Sequence, residues 1–383
     1  MGIVETAHVP RFTTGPGARE KIGELAARLA GKGACVLLVA DPGLKATGAI
    51  DDVKASLKAA GLKTAAFTDF SSDPTVAKTD AAAAMARAKG ATLVVGLGGG
   101  SAMDLAKSVA GIAGARKGAA HYELCNNPFP KKRLKLIGVP TTSGTGSETT
   151  RTAILTRADE AKTWLWGEAL RFDDIVLDPE LTVSLPAHLT AATGIDALVH
   201  AIEAATNKAL NPGKMHHAYE AIRLCGRYLE TAVKEPANLE AREAMQRAAA
   251  LAGIAIDNGG TAICHNIGHA LGSLRPVHHG RAVGLAMLAS LPWNAKGDDG
   301  RYSACAGALG GKAKASALID GFERLLRGSG VKVSLAEECA GLAPEMLAAQ
   351  MMRPENAAMR EVNWRSSSDA DLHMLAAATL GAS

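Results

Sequence analysis

Nowhere does this 383-residue chain hold an apolar run near the ~18–20 residues that a membrane helix needs. No membrane span is expected. No CxxC pair occurs, and the six cysteines are scattered, which argues against a disulfide framework and for free thiols in a reducing compartment. Charge of one sign is nearly absent in excess: 42 Lys+Arg stand against 38 Asp+Glu, a net charge of +4. Spread along the chain, that excess describes neither a nucleic-acid nor a membrane surface. The first residues, MGIVETAHVPRF, lack the basic start and long apolar stretch of a signal peptide. A cytoplasmic protein is expected. There is no internal repeat of 20–50 residues. What is present, 48% hydrophobic and 21% charged residues, is a globular composition.

The chain changes character near its middle. Residues 34–40 (ACVLLVA) read as a buried strand ending in Asp41-Pro42-Gly43. A helix is expected over 46–60 and a short strand over 64–67. Pro74 suits the first turn of a helix that stops at Gly90. Strands at 92–97 and 135–139 are each followed by a glycine-rich loop. This alternation predicts a parallel α/β sheet. Residues 152–156 and 162–166 read as an antiparallel pair, with another strand near 174–178. After Leu185-Pro186 the β-branched runs disappear and alanine dominates, so the rest is expected to be helical. The expected division is an α/β domain over 1–186 and an all-α domain over 187–383.

Gly96-Leu97-Gly98-Gly99-Gly100-Ser101 follows one strand and opens a helix. Such a turn lets backbone N–H groups approach a phosphate at a helix N-terminus, or serves only as a tight strand-to-helix turn. After the next strand, residues 141–147 are all hydroxylated or glycine. That block builds no core and can bind sugar hydroxyls and phosphates. Two such loops on one sheet suggest a dinucleotide at its carboxyl edge. Asp41 could accept hydrogen bonds from an adenosine ribose and repel a 2′-phosphate, or be the turn residue of Asp-Pro-Gly.

Asp196 and His200 are four apart in a strongly helical stretch, hence on one face. His265 and His269 share that spacing, and His278-His279 follow. One Asp with three His is an O/N set suited to Fe(II), Zn(II) or Mn(II).

These segments, PTTSGTGSE (140–148), GGGSAMDLAK (98–107), GIDALVHAIE (194–203) and HNIGHALGSLRPVHHG (265–280), closely resemble the iron-containing, group III alcohol dehydrogenases in order and spacing. The resemblance runs from about residue 5 to the C-terminus. It implies a dehydroquinate synthase-like two-domain fold, with a Rossmann-like dinucleotide-binding domain, a helical metal- and substrate-binding domain, and a metal–alcohol site in the cleft between them. The implied metal ligands are Asp196, His200, His265 and His279. His269 matches a histidine near nicotinamide and metal, and suits a catalytic proton relay. His278 has no consistent counterpart in the family. The implied cofactor contacts are Asp41, Gly98, Gly99, Gly100, Ser101, Asp104, Thr141, Thr142, Thr145, Ser147, Lys162 and Leu181. Lys162 also reads as a solvated charge.

The expected activity is hydride transfer between a small primary alcohol, or its aldehyde, and NAD rather than NADP, with Fe2+ or Zn2+ bound. A homodimer or larger homo-oligomer is expected. The chain departs from the family pattern at Trp164–Leu170. Arg151, at a position that varies across the family, is read either as a receptor for an anionic group on the substrate or as a surface charge. A dehydroquinate-synthase-like or glycerol-dehydrogenase-like enzyme, and a non-catalytic metal-binding assembly protein, are the alternatives.

Overall fold

The computed structural model describes residues 5–209 and 211–381. The chain forms two compact units. One comprises His8–Thr142 and Gly146–Leu185; the other comprises Ser143–Thr145 and the chain from Pro186 onward, with the residues before His8.

The first unit holds β1 (Arg11–Thr14), α1 (Ile22–Ala30), β2 (Cys35–Ala40), α2 (Ala49–Ala59), β3 (Lys63–Phe67), α3 (Val76–Ala88), β4 (Ala91–Gly98), α4 (Gly100–Ile112), β5 (Lys135–Pro140), β6 (Thr152–Thr156), β7 (Lys162–Trp166) and β8 (Asp174–Leu177). Six strands make one parallel sheet in the order β1-β8-β5-β4-β2-β3, and β6 with β7 forms an antiparallel pair. Residues 36–40 of β2 and 93–98 of β4 are buried because helices cover both faces of a parallel sheet. Gly96 in β4 lets α4 come close: a Cβ there would stand 2.8 Å from that of Ala106.

Two details differ from the sequence reading. The third helix begins at Val76, capped by the Thr75 side chain on Lys78 N–H, so Pro74 lies outside it. The Pro74 carbonyl instead accepts from Thr156 N–H, tying this turn to β6. Strand β1 was not foreseen; its four residues pair in parallel with β8, more than 150 positions away.

The second unit is helical: α5 (Ala187–Thr206), α6 (Pro212–Lys234), α7 (Leu239–Asp257), α8 (Ile263–Leu274), α9 (His279–Asn294), α10 (Arg301–Ala308), α11 (Ala315–Gly328), α12 (Pro344–Met351), α13 (Pro354–Glu361) and α14 (Asp369–Leu380). Helix α5 is buried all round from Thr190 to Thr206, with small residues on most of its surface, so it runs through the core with other helices packed about it. Polar residues on such a helix are costly unless paired.

Candidate metal centre and nucleotide loops

Helix α5 places Asp196, His200 and Glu203 on one face, at spacings of four and three residues. Helix α8 brings His265, and the first turn of α9 brings His279. The close approach of α9 depends on Gly280, where a Cβ would collide with the Ala192 carbonyl and lie 3.2 Å from Asp196 Cβ. Asp196 Oδ1 is the hub. It lies 3.8 Å from His200 Nδ1, 3.7 Å from His265 Nε2 and 3.6 Å from His279 Nε2. Asp196, His265 and His279 each offer a ligand atom within 4.8 Å of the others. His200 stands beside them, its ring stacked on that of His265 with centroids 4.4 Å apart.

Asp196 Oδ1, His200 Nδ1 and His265 Nε2 are buried without a hydrogen-bond partner. Orphaned polar atoms are rare in protein cores and each carries a desolvation cost. Asp196 Oδ1 and His265 Nε2 converge with His279 Nε2 as the ligands of one cation would, because atoms that each lie ~2.0–2.3 Å from a shared ion lie about 3–4 Å from one another; His200 Nδ1 stands beside them, 3.8 Å from Asp196 Oδ1. The donor set, a carboxylate with imidazoles, suits iron or zinc equally.

Glu203, missed in the sequence, orders this group. Its Oε2 accepts from His265 Nδ1 at 2.6 Å, and its carboxylate also accepts from Ala262 N–H at 2.7 Å and Cys264 N–H at 2.6 Å. It thus caps α8 from another helix and orients the His265 ring so that Nε2 faces Asp196. Burial opposes charge on His265, but Glu203 and Asp196 outweigh it and raise the ring to about 9. Burial lowers His200 to about 4. Burial alone would raise the Asp196 carboxyl; His200, His279 and His265 overcome it and hold it well below the usual carboxylate range. His269 lies on the flank, its ring 6.2 Å from that of His265 and 5.2 Å from that of His279. His278 occupies the position just before α9, next to His279.

In the α/β unit the two glycine-rich loops meet. Gly98, Gly99, Gly100 and Ser101 form the β4–α4 turn, and Thr141 and Thr142 leave β5 beside it. Thr141 N–H donates to the Gly98 carbonyl at 2.9 Å, and a Cβ on Gly99 would lie 3.2 Å from the Thr142 methyl. Asp41 lies at the same edge, packed on Gly98, with Oδ1 accepting from Gly43 N–H at 2.8 Å. Ser101 Oγ accepts from Asp73 N–H. Asp104 takes the Ser147 hydroxyl at 2.5 Å and Ile154 N–H at 3.0 Å, so it braces the second loop against β6. Lys107, also missed, is fully buried and donates to the carbonyls of Ser147, Thr150 and Thr152. Its spacing of three from Asp104 was the available signal.

Lys162 Nζ pairs with Asp73 at 2.6 Å. Leu181 packs into the apolar core of this unit. Thr145 belongs to the short segment grouped with the helical unit, where Gly144 lies against Thr193 on α5. Arg151 pairs with Glu168 at 2.7 Å and stacks over Trp166 at 4.9 Å.

Residues 10–179 match the family model for iron-containing alcohol dehydrogenase, and residues 190–379 match that for the C-terminal part of the Fe-containing alcohol dehydrogenase family. The chain belongs to the iron-containing alcohol dehydrogenase family. It is 35% identical to the NAD-dependent methanol dehydrogenase of Bacillus methanolicus, over 71% of this chain and 71% of that protein. It is 34% identical to the 1,3-propanediol dehydrogenase of Klebsiella pneumoniae, over 82% of this chain and 81% of that protein. Its fold matches the crystal structure of sulfoacetaldehyde reductase from Bifidobacterium kashiwanohense in complex with NAD+, with a TM-score of 0.91, 28% identity and full coverage of both chains. Among the described residues, no helix is long and apolar enough to cross a membrane.

Proposed function

We propose that the chain interconverts a small primary alcohol and its aldehyde, using NAD and a divalent ion held by Asp196, His200, His265 and His279. The enzyme is an NAD-dependent, metal-containing oxidoreductase of alcohol dehydrogenase type. The observation that carries this reading is the convergence of ligand atoms from Asp196, His265 and His279, with Asp196 Oδ1, His265 Nε2 and the neighbouring His200 Nδ1 buried without hydrogen-bond partners.

When bound, the ion supplies Lewis acidity that lowers the pKa of an alcohol, and NAD supplies the hydride acceptor. The chain supplies the rest. Asp196 contributes the negative charge that retains a cation, and Glu203 holds the His265 ring in its orientation. His269, an imidazole beside this group, accepts the alcohol proton and passes it outward. Gly98 through Ser101 present backbone N–H groups at the start of α4 for the pyrophosphate, while Asp104 and Lys107 brace the second loop at Ser147. Thr141, Thr142, Thr145, Ser147, Lys162 and Leu181 complete the proposed cofactor surface. The Asp41 oxygen not used by Gly43 is assigned to the ribose 2′-hydroxyl, which selects NAD over NADP.

Residues 1–186 are thus assigned to the dinucleotide and 187–383 to metal and substrate. The pairing of Arg151 with Glu168 favours a neutral substrate over an anionic one. Iron and zinc suit the donors equally. The edge position of β1, with no further strand beside it among the described residues, supports a homodimer or larger assembly, and the free thiols support the cytoplasm.

Purified protein with NAD and a panel of short alcohols tests the reading by absorbance at 340 nm. A rise that chelation abolishes and added metal restores is expected. No NADH from any alcohol, with metal present, would reject it.

A further inference from the structure

The polar stripe on α5 continues one turn beyond Glu203. Asn207 follows at a spacing of four, buried at the helix C-terminus. Its Nδ2 donates to the Gly259 carbonyl at 2.8 Å and the Gly260 carbonyl at 2.9 Å. Its Oδ1 accepts from Lys214 Nζ at 2.5 Å and from Ala209 N–H at 3.1 Å. This pattern fixes the amide orientation, because the oxygen faces donors and the nitrogen faces acceptors.

Gly259 and Gly260 lead directly into α8, which carries His265. Glu203 holds the amides of Ala262 and Cys264, Asn363 accepts from Ile263 N–H at 3.4 Å, and Asn207 holds the two carbonyls upstream. The entry to α8 is therefore fastened at Gly259, Gly260, Ala262, Ile263 and Cys264. Gly260 has φ +77°, a conformation that needs external support to stay unique.

Lys214 explains how the amide stays in place. Its ammonium is buried with Asn207 as its side-chain partner and, among the described residues, no carboxylate paired to it. Burial, with Arg301 nearby, lowers it to about 8. The Lys214 stem also packs against Gly259, where a Cβ would stand 2.7 Å from Lys214 Cδ. One side chain thus touches both the amide and the segment that the amide holds.

We propose that Asn207, oriented by the buried ammonium of Lys214, is a positioning residue that sets His265 for metal binding by holding the Gly259–Gly260 segment. The proposal rests on the metal reading above and adds two residues outside the ligand set and its direct partners.

Co(II) loaded into the full-length protein is the probe. Asn207→Asp keeps size and an acceptor for Lys214 but faces two carbonyls without donors. It is expected to speed Co(II) release to excess EDTA about tenfold, the lower end for partners behind metal ligands, and to shift the visible Co(II) bands. Lys214→Met is expected to speed release severalfold in the wild-type background and to add nothing in an Asn207→Ala background. Should Asn207→Asp fail to fold, Lys214→Met carries the test alone. A purely structural role would lower the melting temperature and leave the bands and release rate at wild-type values; that result overturns the proposal. So does an equal effect of Lys214→Met in both backgrounds. Wild-type protein that binds no Co(II) would overturn the metal reading as well, whereas normal Co(II) binding with unchanged variants overturns only the role of Asn207 and Lys214.

Discussion

His265 Nδ1 donates to Glu203 Oε2 at 2.6 Å, and both residues are almost completely buried. This pair fixes which ring nitrogen faces the Asp196 carboxylate. Glu203→Gln preserves shape but weakens acceptance from His265 and from the two α8 amides. Metal affinity is expected to fall roughly 10–100-fold while the far-UV circular dichroism stays unchanged. Competition with a calibrated chelator measures it, and wild-type affinity would remove Glu203 from this role.

Asp41→Gly should relax cofactor choice chiefly by improving NADP. A lost charge-assisted bond plus repulsion of the 2′-phosphate is worth ~2–3 kcal/mol, on the order of 30–150-fold in kcat/KM. Metal content should not change. Equal use of NADP and NAD by the wild type, or an unchanged ratio in the variant, would leave Asp41 with only its turn bond to Gly43.

Arg151→Ala separates two readings of substrate charge. With the guanidinium already engaged by Glu168 and Trp166, the ratio of rates on a short alcohol and on its ω-carboxylated analogue should stay constant. Selective loss of the carboxylated substrate would restore Arg151 as an anion receptor.

Glu148, in the second glycine-rich loop, is buried, and burial raises its carboxyl from 4.5 to about 7. Between those values the folded state binds a proton that the unfolded state has lost. Stability from this group therefore falls as pH rises, by about 1.4 kcal/mol per unit across that window. Thermal melting should show lower stability at pH 8 than at pH 5.5. Glu148→Gln, which cannot ionise, should flatten the slope and raise the melting temperature at pH 8. A variant with the wild-type pH slope would contradict this.

Much of the site was legible because its spacing is local. Asp196 and His200 share a helical face by arithmetic, as do His265 and His269. The turns after β4 and β5 announce themselves through glycine and hydroxyl residues that cannot form core. Glu203 escaped because a glutamate amid alanines ordinarily faces solvent; only the burial of α5 on all sides turns it inward. Lys107 and Lys214 escaped for the same reason, since a lysine buried against carbonyls or an amide is decided by tertiary packing. Strand β1 is four residues long, and its pairing with β8 carries no local pattern. Pro74 fits a first helical turn by preference, but its carbonyl is used by β6 and the helix waits for the Thr75 cap.

As proposed above, Asp196, His200, His265 and His279 hold one catalytic ion. Metal analysis of wild type and His200→Ala, paired with NADH formation at 340 nm, tests it most directly. About one equivalent of iron or zinc per wild-type chain is expected. His200→Ala should remain folded but lose both metal and turnover, while His269→Ala should keep the metal and lose about a hundredfold or more in rate. Full metal content with wild-type turnover in His200→Ala would contradict it.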